Sequence, residues 1–214
     1  MRITKLGHAC LLVEEGGARV LLDPGAFTAG WEDVRDLSAV LVTHAHPDHL
    51  DPDRIGALLA ANPGAPLLVD PGSGEQLAAA GVDATVVRPG ETRDLAGLAV
   101  EVVGGEHALI HADIPRIPNN GYLLGDRLLH PGDSLADPGR GVEVLALPAA
   151  APWMRAAEAV DLMLAVRPRV VVPIHDAVLS DAGQSVHHGL LRRFAEPAGV
   201  RVEVLAGDRA SLDL

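Results

Sequence analysis

The sequence predicts an α/β fold in which sheets carry helices on their outer faces, and three observations support that expectation. Nearly unbroken β-branched runs such as Arg169 to Ile174 read as buried strands; helical stretches fall between such strands; and Gly and Pro are spread through the turns without collecting in a linker. At 214 residues the chain is sized for one well-cored domain, expected to span residues 1–214.

Taken in order, Ala9 to Glu14 and Ala18 to Asp23 are apolar runs joined by Glu-Gly-Gly, the pattern of a hairpin. Ala39 to Thr43 reads as a buried strand, Leu50 to Ala61 as a helix, Pro66 to Asp70 as a strand and Gly74 to Ala80 as a helix. Strands are expected at Ala84 to Arg88, Leu98 to Val103, Gly121 to Leu124, Arg127 to His130 and Val142 to Ala146. Met154 to Val166 reads as a helix, Arg169 to Ile174 as a strand, Ser185 to Ala195 as a helix, and Val200 to Leu205 as the closing strand. Gly72 and Gly74 resemble a dinucleotide loop only weakly, because Leu77 holds the third glycine position.

Composition narrows the function. The formal net charge of −12 disfavours nucleic acid, whose binding relies on Lys and Arg neutralising phosphates, and 2 Trp, 1 Tyr and 2 Phe leave little to stack on bases. No apolar run approaches the roughly 18 residues that span a bilayer, and no apolar run follows a basic leader, so a soluble, cytoplasmic protein without membrane partners is expected. A single cysteine, Cys10, excludes an internal disulfide or a thiolate cluster and leaves metal binding to His and Asp.

Those residues are concentrated in one place. Leu41 to Pro52 reads LVTHAHPDHLDP, and at this chain's own residue frequencies an H-x-H-x-acid-H string is expected by chance roughly three times in a thousand. His44 and His46, two apart at a strand end, project to one side and can grip one cation. Asp48 and His49 follow in a turn that Pro47 helps to fix, and can face a second. One motif cannot complete two coordination shells. His107 in VVGGEHALIH, Asp133 in RLLHPGDSL and His175 in RVVVPIHDA each lie at a predicted strand end, where loops from one edge of a sheet converge.

HAHPDH, followed by a lone His after a strand, a Gly-Asp-Ser and a Val-Pro-Ile-His, resembles the metallo-β-lactamase superfamily, nearest to small metal-dependent hydrolases of the ascorbate-phosphate lactonase group. LGHACLLVE and VLLDPG are similar to the opening hairpin of that group. The resemblance implies an αββα four-layer sandwich with a dinuclear site at one edge. His44, His46 and His107 would hold one metal, Asp48, His49 and His175 the other, and Asp133 would bridge both. The cofactor would be two divalent ions, zinc foremost, with Mn, Fe or Ni also suited to these ligands. Two cations sharing a water supply hydroxide at neutral pH, so Asp48 and Asp133 become the catalytic pair, with Asp48 orienting that hydroxide. No G-x-S-x-G elbow competes for hydrolysis.

Around this set stand residues with two readings. Asp23 is similar to an acid that orients a ligating His, or forms a turn before Pro24. His8 lies near the site or is a structural histidine. His130 reads as a strand-end histidine with a backbone partner, Asp176 as a partner of a ligating His or a solvent-facing acid, and His187 and His188 as a solvated helix face. The loop after His107 offers His111, Arg116 and Asn120 either to an anionic group of the substrate, with Arg116 the obvious contact, or to solvent. The expected activity is hydrolysis of a small, anionic lactone, ester or phosphoester; the alternatives are a non-catalytic metal-binding or regulatory module and a di-iron redox protein. The lactonase resemblance also suggests a homo-oligomer.

Overall fold

Residues 1–207 and 209–214 are described by the computed structural model. In chain order the strands are β1 (Arg2–Gly7), β2 (Cys10–Glu15), β3 (Ala18–Leu22), β4 (Ala39–Val42), β5 (Leu67–Val69), β6 (Thr85–Val86), β7 (Thr92–Leu95), β8 (Leu98–Glu106), β9 (Pro118–Leu124), β10 (Leu128–His130), β11 (Val144–Pro148), β12 (Val170–Ile174), β13 (Arg201–Val202) and β14 (Ser211–Asp213). The helices are α1 (Ile55–Ala61), α2 (Pro71–Ala79), α3 (Ala156–Val166) and α4 (Asp181–Ala195).

They form two seven-stranded sheets, β14-β1-β2-β3-β4-β5-β6 and β13-β12-β11-β10-β9-β8-β7. Each is antiparallel on one side and parallel on the other, β3–β4–β5–β6 in the first and β10–β11–β12–β13 in the second. Parallel strands need crossovers, and these supply the covering helices. Leu11, Leu22, Leu41, Tyr122, Val144 and Val172 fill the layer between the sheets. A second cluster, with Leu58, Leu77 and Val42, seats α1 and α2 on the first sheet; a third, with Met163, Leu191 and Val171, seats α3 and α4 on the second. The four layers are the αββα order the sequence implied. No helix among the described residues is long and apolar enough to cross a membrane.

The hairpin of β2 and β3 and the central strands fall where the periodicity puts them. Differences arise where local polar chemistry outweighs the apolar pattern. The helix expected from Leu50 begins at Ile55, because the Asp51 carboxylate accepts from the backbone N–H groups of Asp53 and Arg54 and holds the chain in a turn first. The helix expected from Ser185 begins at Asp181, capped by Ser180, whose hydroxyl accepts from the Gly183 N–H. Asp70 likewise starts α2 at Pro71, which makes the glycines there a helix start rather than a phosphate loop. The polar strands β7 and β14 and the mixed β1 carry no alternation to announce them; pairing with β8, β1 and β2 makes them strands.

Candidate metal centre

β4 is buried throughout, and its end delivers Thr43 and His44 to one edge of the sandwich. The chain then closes a tight turn in which the His46 carbonyl accepts from both His49 N–H and Leu50 N–H, at 3.0 and 2.9 Å. Gly25 lies flat against this turn, and a Cβ there would collide with the Asp48 carbonyl. Across from it, the ends of β8, β10 and β12 on the second sheet carry His107, Asp133 and His175. The site is therefore assembled from both sheets.

Two groups of ligand atoms result, each within 4.8 Å of one another: His44, His46, His107 and Asp133 in one, His8, Asp48, His49 and His175 in the other. Asp133 belongs to both in practice. Its Oδ2 lies 3.3 Å from His107 Nε2 and 3.2 Å from His175 Nε2, while its Oδ1 lies 3.2 Å from His49 Nε2. Asp48 Oδ2 stands 3.3 Å from His175 Nε2.

The far side of each ring is anchored. His107 Nδ1 donates to the Ala108 carbonyl at 2.6 Å, His175 Nδ1 to the Ala150 carbonyl at 2.7 Å, and His49 Nδ1 to Asp23 Oδ2 at 2.7 Å. The Thr43 hydroxyl donates to Asp23 and is left to accept from His44 Nδ1 at 3.0 Å. With Nδ1 the outward donor, each Nε2 points inward, where a neutral ring would offer its lone pair to a cation. His49 Nε2, His107 Nε2, His175 Nε2 and Asp133 Oδ1 are buried and make no hydrogen bond. Leaving buried polar atoms unpartnered costs about 1–3 kcal/mol each, a cost that a cation among them would remove. The donor set thus fits divalent metal, with imidazole and carboxylate ligands suited to first-row ions.

The electrostatics of these groups follow from the same proximity. Burial disfavours charge on Asp133, but the His49 charge and the close His107 and His175 rings hold it well below the usual carboxylate range. Burial likewise opposes charge on His49 and His175, and the facing carboxylates overcome it: Asp133 and Asp23 raise His49 strongly, while Asp133 and Asp48 push His175 up to about 9. His44, with burial and the His49 charge acting together, is driven well below its ordinary value. Metal bound among these groups would displace the protons of His49 and His175, so its affinity would rise with pH.

Of the outlying candidates, Asp23 is fully buried and accepts from Thr43 N–H, Thr43 Oγ1 and His49 Nδ1, so it orients a site histidine instead of merely turning the chain. His8 accepts from Ala177 N–H at Nδ1, 3.3 Å, which places its proton on Nε2, 3.1 Å from Asp48 Oδ2. In that tautomer it steadies Asp48. Backbone strain collects here too, with His8, Asp23 and His175 at φ of 41°, 48° and 59°.

The other three candidates have partners of their own. His111 is exposed, with its ring tied to the Asp113 N–H, and does not reach the centre. Asn120 is buried between the sheets, donating to the Val87 carbonyl; it is Asn119 whose Oδ1 accepts from Asp133 N–H at 2.9 Å and backs the site. Arg116 lines a neighbouring cleft but is paired with Glu106 at 3.1 Å. His130 donates from Nε2 to the Ala9 carbonyl, as a strand-end histidine should. His188, expected on a solvated helix face, is buried, as is Asp176, for which the sequence leaves either a ligand-orienting or a solvent-facing role open: Lys5 Nζ lies 2.7 Å from Asp176 and His188 Nε2 lies 3.5 Å from it.

The model of the beta-lactamase superfamily domain matches residues 2–175. Protein Rv0786c of Mycobacterium tuberculosis is 48% identical over 196 residues, 89% of this chain and 91% of its own. UPF0173 protein PF0020 of Pyrococcus furiosus is 32% identical, covering 85% and 86%. Among solved structures, Igni18, a metallo hydrolase from Ignicoccus hospitalis, superimposes with a TM-score of 0.73 at 20% identity over 100% of this chain and 98% of that one, a likeness of fold.

Proposed function

This chain belongs to the metallo-β-lactamase superfamily, and from that premise we propose that it is a metal-dependent hydrolase working through a paired metal centre on a small ester, lactone or phosphoester. The observation that carries the reading is the convergence of unpartnered Nε2 atoms of His49, His107 and His175 on Asp133. His44, His46 and His107 would hold one ion, Asp48, His49 and His175 the other, and Asp133 would lie between. When bound, such a pair of ions supplies Lewis acidity and a water of lowered pKa, with zinc the first candidate.

The chain's own groups do the rest. Asp48 is kept ionised by the hydrogen bonds of His175 and His8, although burial opposes its charge. It can therefore accept a hydrogen from an attacking water and aim it, while His8 fixes the carboxylate's rotamer. Asp23 and Thr43 hold His49 and His44 in the tautomer that exposes Nε2. The anchored far sides of the rings keep the inner atoms in register before any substrate arrives.

Elemental analysis of the purified chain after reconstitution tests this. A metal-to-protein ratio near two is expected, falling in Asp133→Ala, together with hydrolysis of one or more chromogenic phosphodiesters, phosphomonoesters or lactones that is lost in His46→Ala. A ratio near zero after reconstitution would overturn the paired centre; full metal with no turnover on any panel member would overturn the hydrolase.

A further inference from the structure

A cleft of about 730 Å³ opens beside His107. Its lining includes both Arg116 and Arg155, but each is matched there by an acid: Arg116 by Glu106 at 3.1 Å, Arg155 by Glu158 at 3.5 Å. The charges of the lining cancel in pairs. What remains for recognition is the Ser134 hydroxyl and the apolar surface of Trp153 and Leu135, with Leu109 half exposed beside them.

Trp153 is placed where it can matter. Its ring meets His107 edge-to-face at 5.2 Å and reaches His175 at 6.5 Å, so one indole borders histidines of both ligand groups. It is also unlike the chain's other tryptophan, Trp31, which is fully buried under α1 with its Nε1 donating to the Gly25 carbonyl. A partly exposed indole at the junction of a cleft and a ligand cluster, in a chain with 2 Trp, 1 Tyr and 2 Phe, is not needed for the core. Aromatic faces recognise planar and apolar groups by contact and by the apolar area they bury.

We infer that Trp153 is the recognition platform of the site, so that the substrate class is one whose group next to the scissile bond is planar or apolar, such as an aryl or acyl ester. The inference rests on the hydrolase reading for where the scissile bond lies. The anionic or polarised end faces the ligand cluster, and the apolar end lies along the indole in the cleft.

The test compares two non-hydrolysable probes with the same head group, phenylphosphonate and methylphosphonate, on the metal-loaded chain. A Trp31→Phe background leaves Trp153 as the fluorophore, and calorimetry gives the affinities in parallel. Phenylphosphonate is expected to bind about ten-fold more tightly and to change Trp153 emission, with the preference falling to near parity in Trp153→Ala and returning in Trp153→Phe. Equal affinity of the two probes, a preference that survives Trp153→Ala, or no binding of either would overturn it. Because no probe is turned over, a chain that binds phosphonates selectively yet hydrolyses nothing would count against the hydrolase and leave the platform standing.

Discussion

Asp23 accepts three hydrogen bonds inside the protein, and its replacement by Asn would put an amide N–H₂ against either the Thr43 donors or His49 Nδ1–H. The His49 ring would lose its orientation. Asp23→Asn is expected to weaken metal binding by about 10- to 100-fold while the protein still folds, measured by competition against a chromogenic chelator. A second expectation concerns protons. His175 is raised to about 9 and His49 is raised strongly, so between pH 6.5 and 9 the folded, metal-free protein binds protons that the unfolded chain releases. Stability from these groups is fully present below about pH 6.5 and is lost as pH rises through 9, on the order of 3 kcal/mol for His175. Below pH 6.5 the depressed histidines, His8, His44, His46 and His130, act in the opposite sense. Thermal melts of chelator-treated protein should therefore peak near pH 6.5, and the alkaline slope should flatten once metal displaces the protons; a flat metal-free profile would sink the idea. At this scale the sequence showed the ligand types because histidines and acids packed at that density have few other uses. It could not show Thr43, Asn119 or Trp153, whose roles come from which strand ends face one another.

The turn from β12 into α4 depends on a buried contact that spans most of the chain. Lys5 Nζ, from β1, donates to the Pro173 carbonyl at 3.0 Å and to Asp176, one residue beyond His175. Both partners are nearly inaccessible, at 7% and 9% side-chain exposure. Burial pulls Lys5 down, and its pairing with Asp176 only partly offsets this. Removing one partner would strand the other: Asp176→Ala should cost about 3–5 kcal/mol in urea unfolding of the metal-free protein, and the double change Lys5→Met, Asp176→Leu should recover most of it. A cost under about 1 kcal/mol would mean the pair is not insulated from water. The same contact explains why α4 was misread on one face. His188 follows a helical period that suits solvent, but the helix lies so that this position meets Asp176. Apolar strands such as β4 and β12 were legible because burial on both faces leaves an unbroken signature; β1, β7 and β14 were not, because their strand character comes from neighbours.

Across the whole molecule, the two sheets meet at one edge around the His/Asp cluster, with four of the seven proposed ligands following β4 and the others following β8, β10 and β12. Metal bound there would tie one sheet to the other and stabilise the folded chain by mass action, about 2.7 kcal/mol for a site filled at a hundred times its Kd. For a domain of this length that corresponds to a rise of roughly 5–10 °C in Tm by calorimetry, reversed by chelator. An unchanged Tm with metal bound would mean the sheets do not need the tie. The order of the ligands along the chain has a consequence in time. His44 to His49 leave the ribosome well over a hundred residues before His175, an interval on the order of ten seconds at ordinary rates of synthesis. Synthesis thus completes the two groups one after the other: His44, His46, His107 and Asp133 are all present before β12 brings His175 to the second.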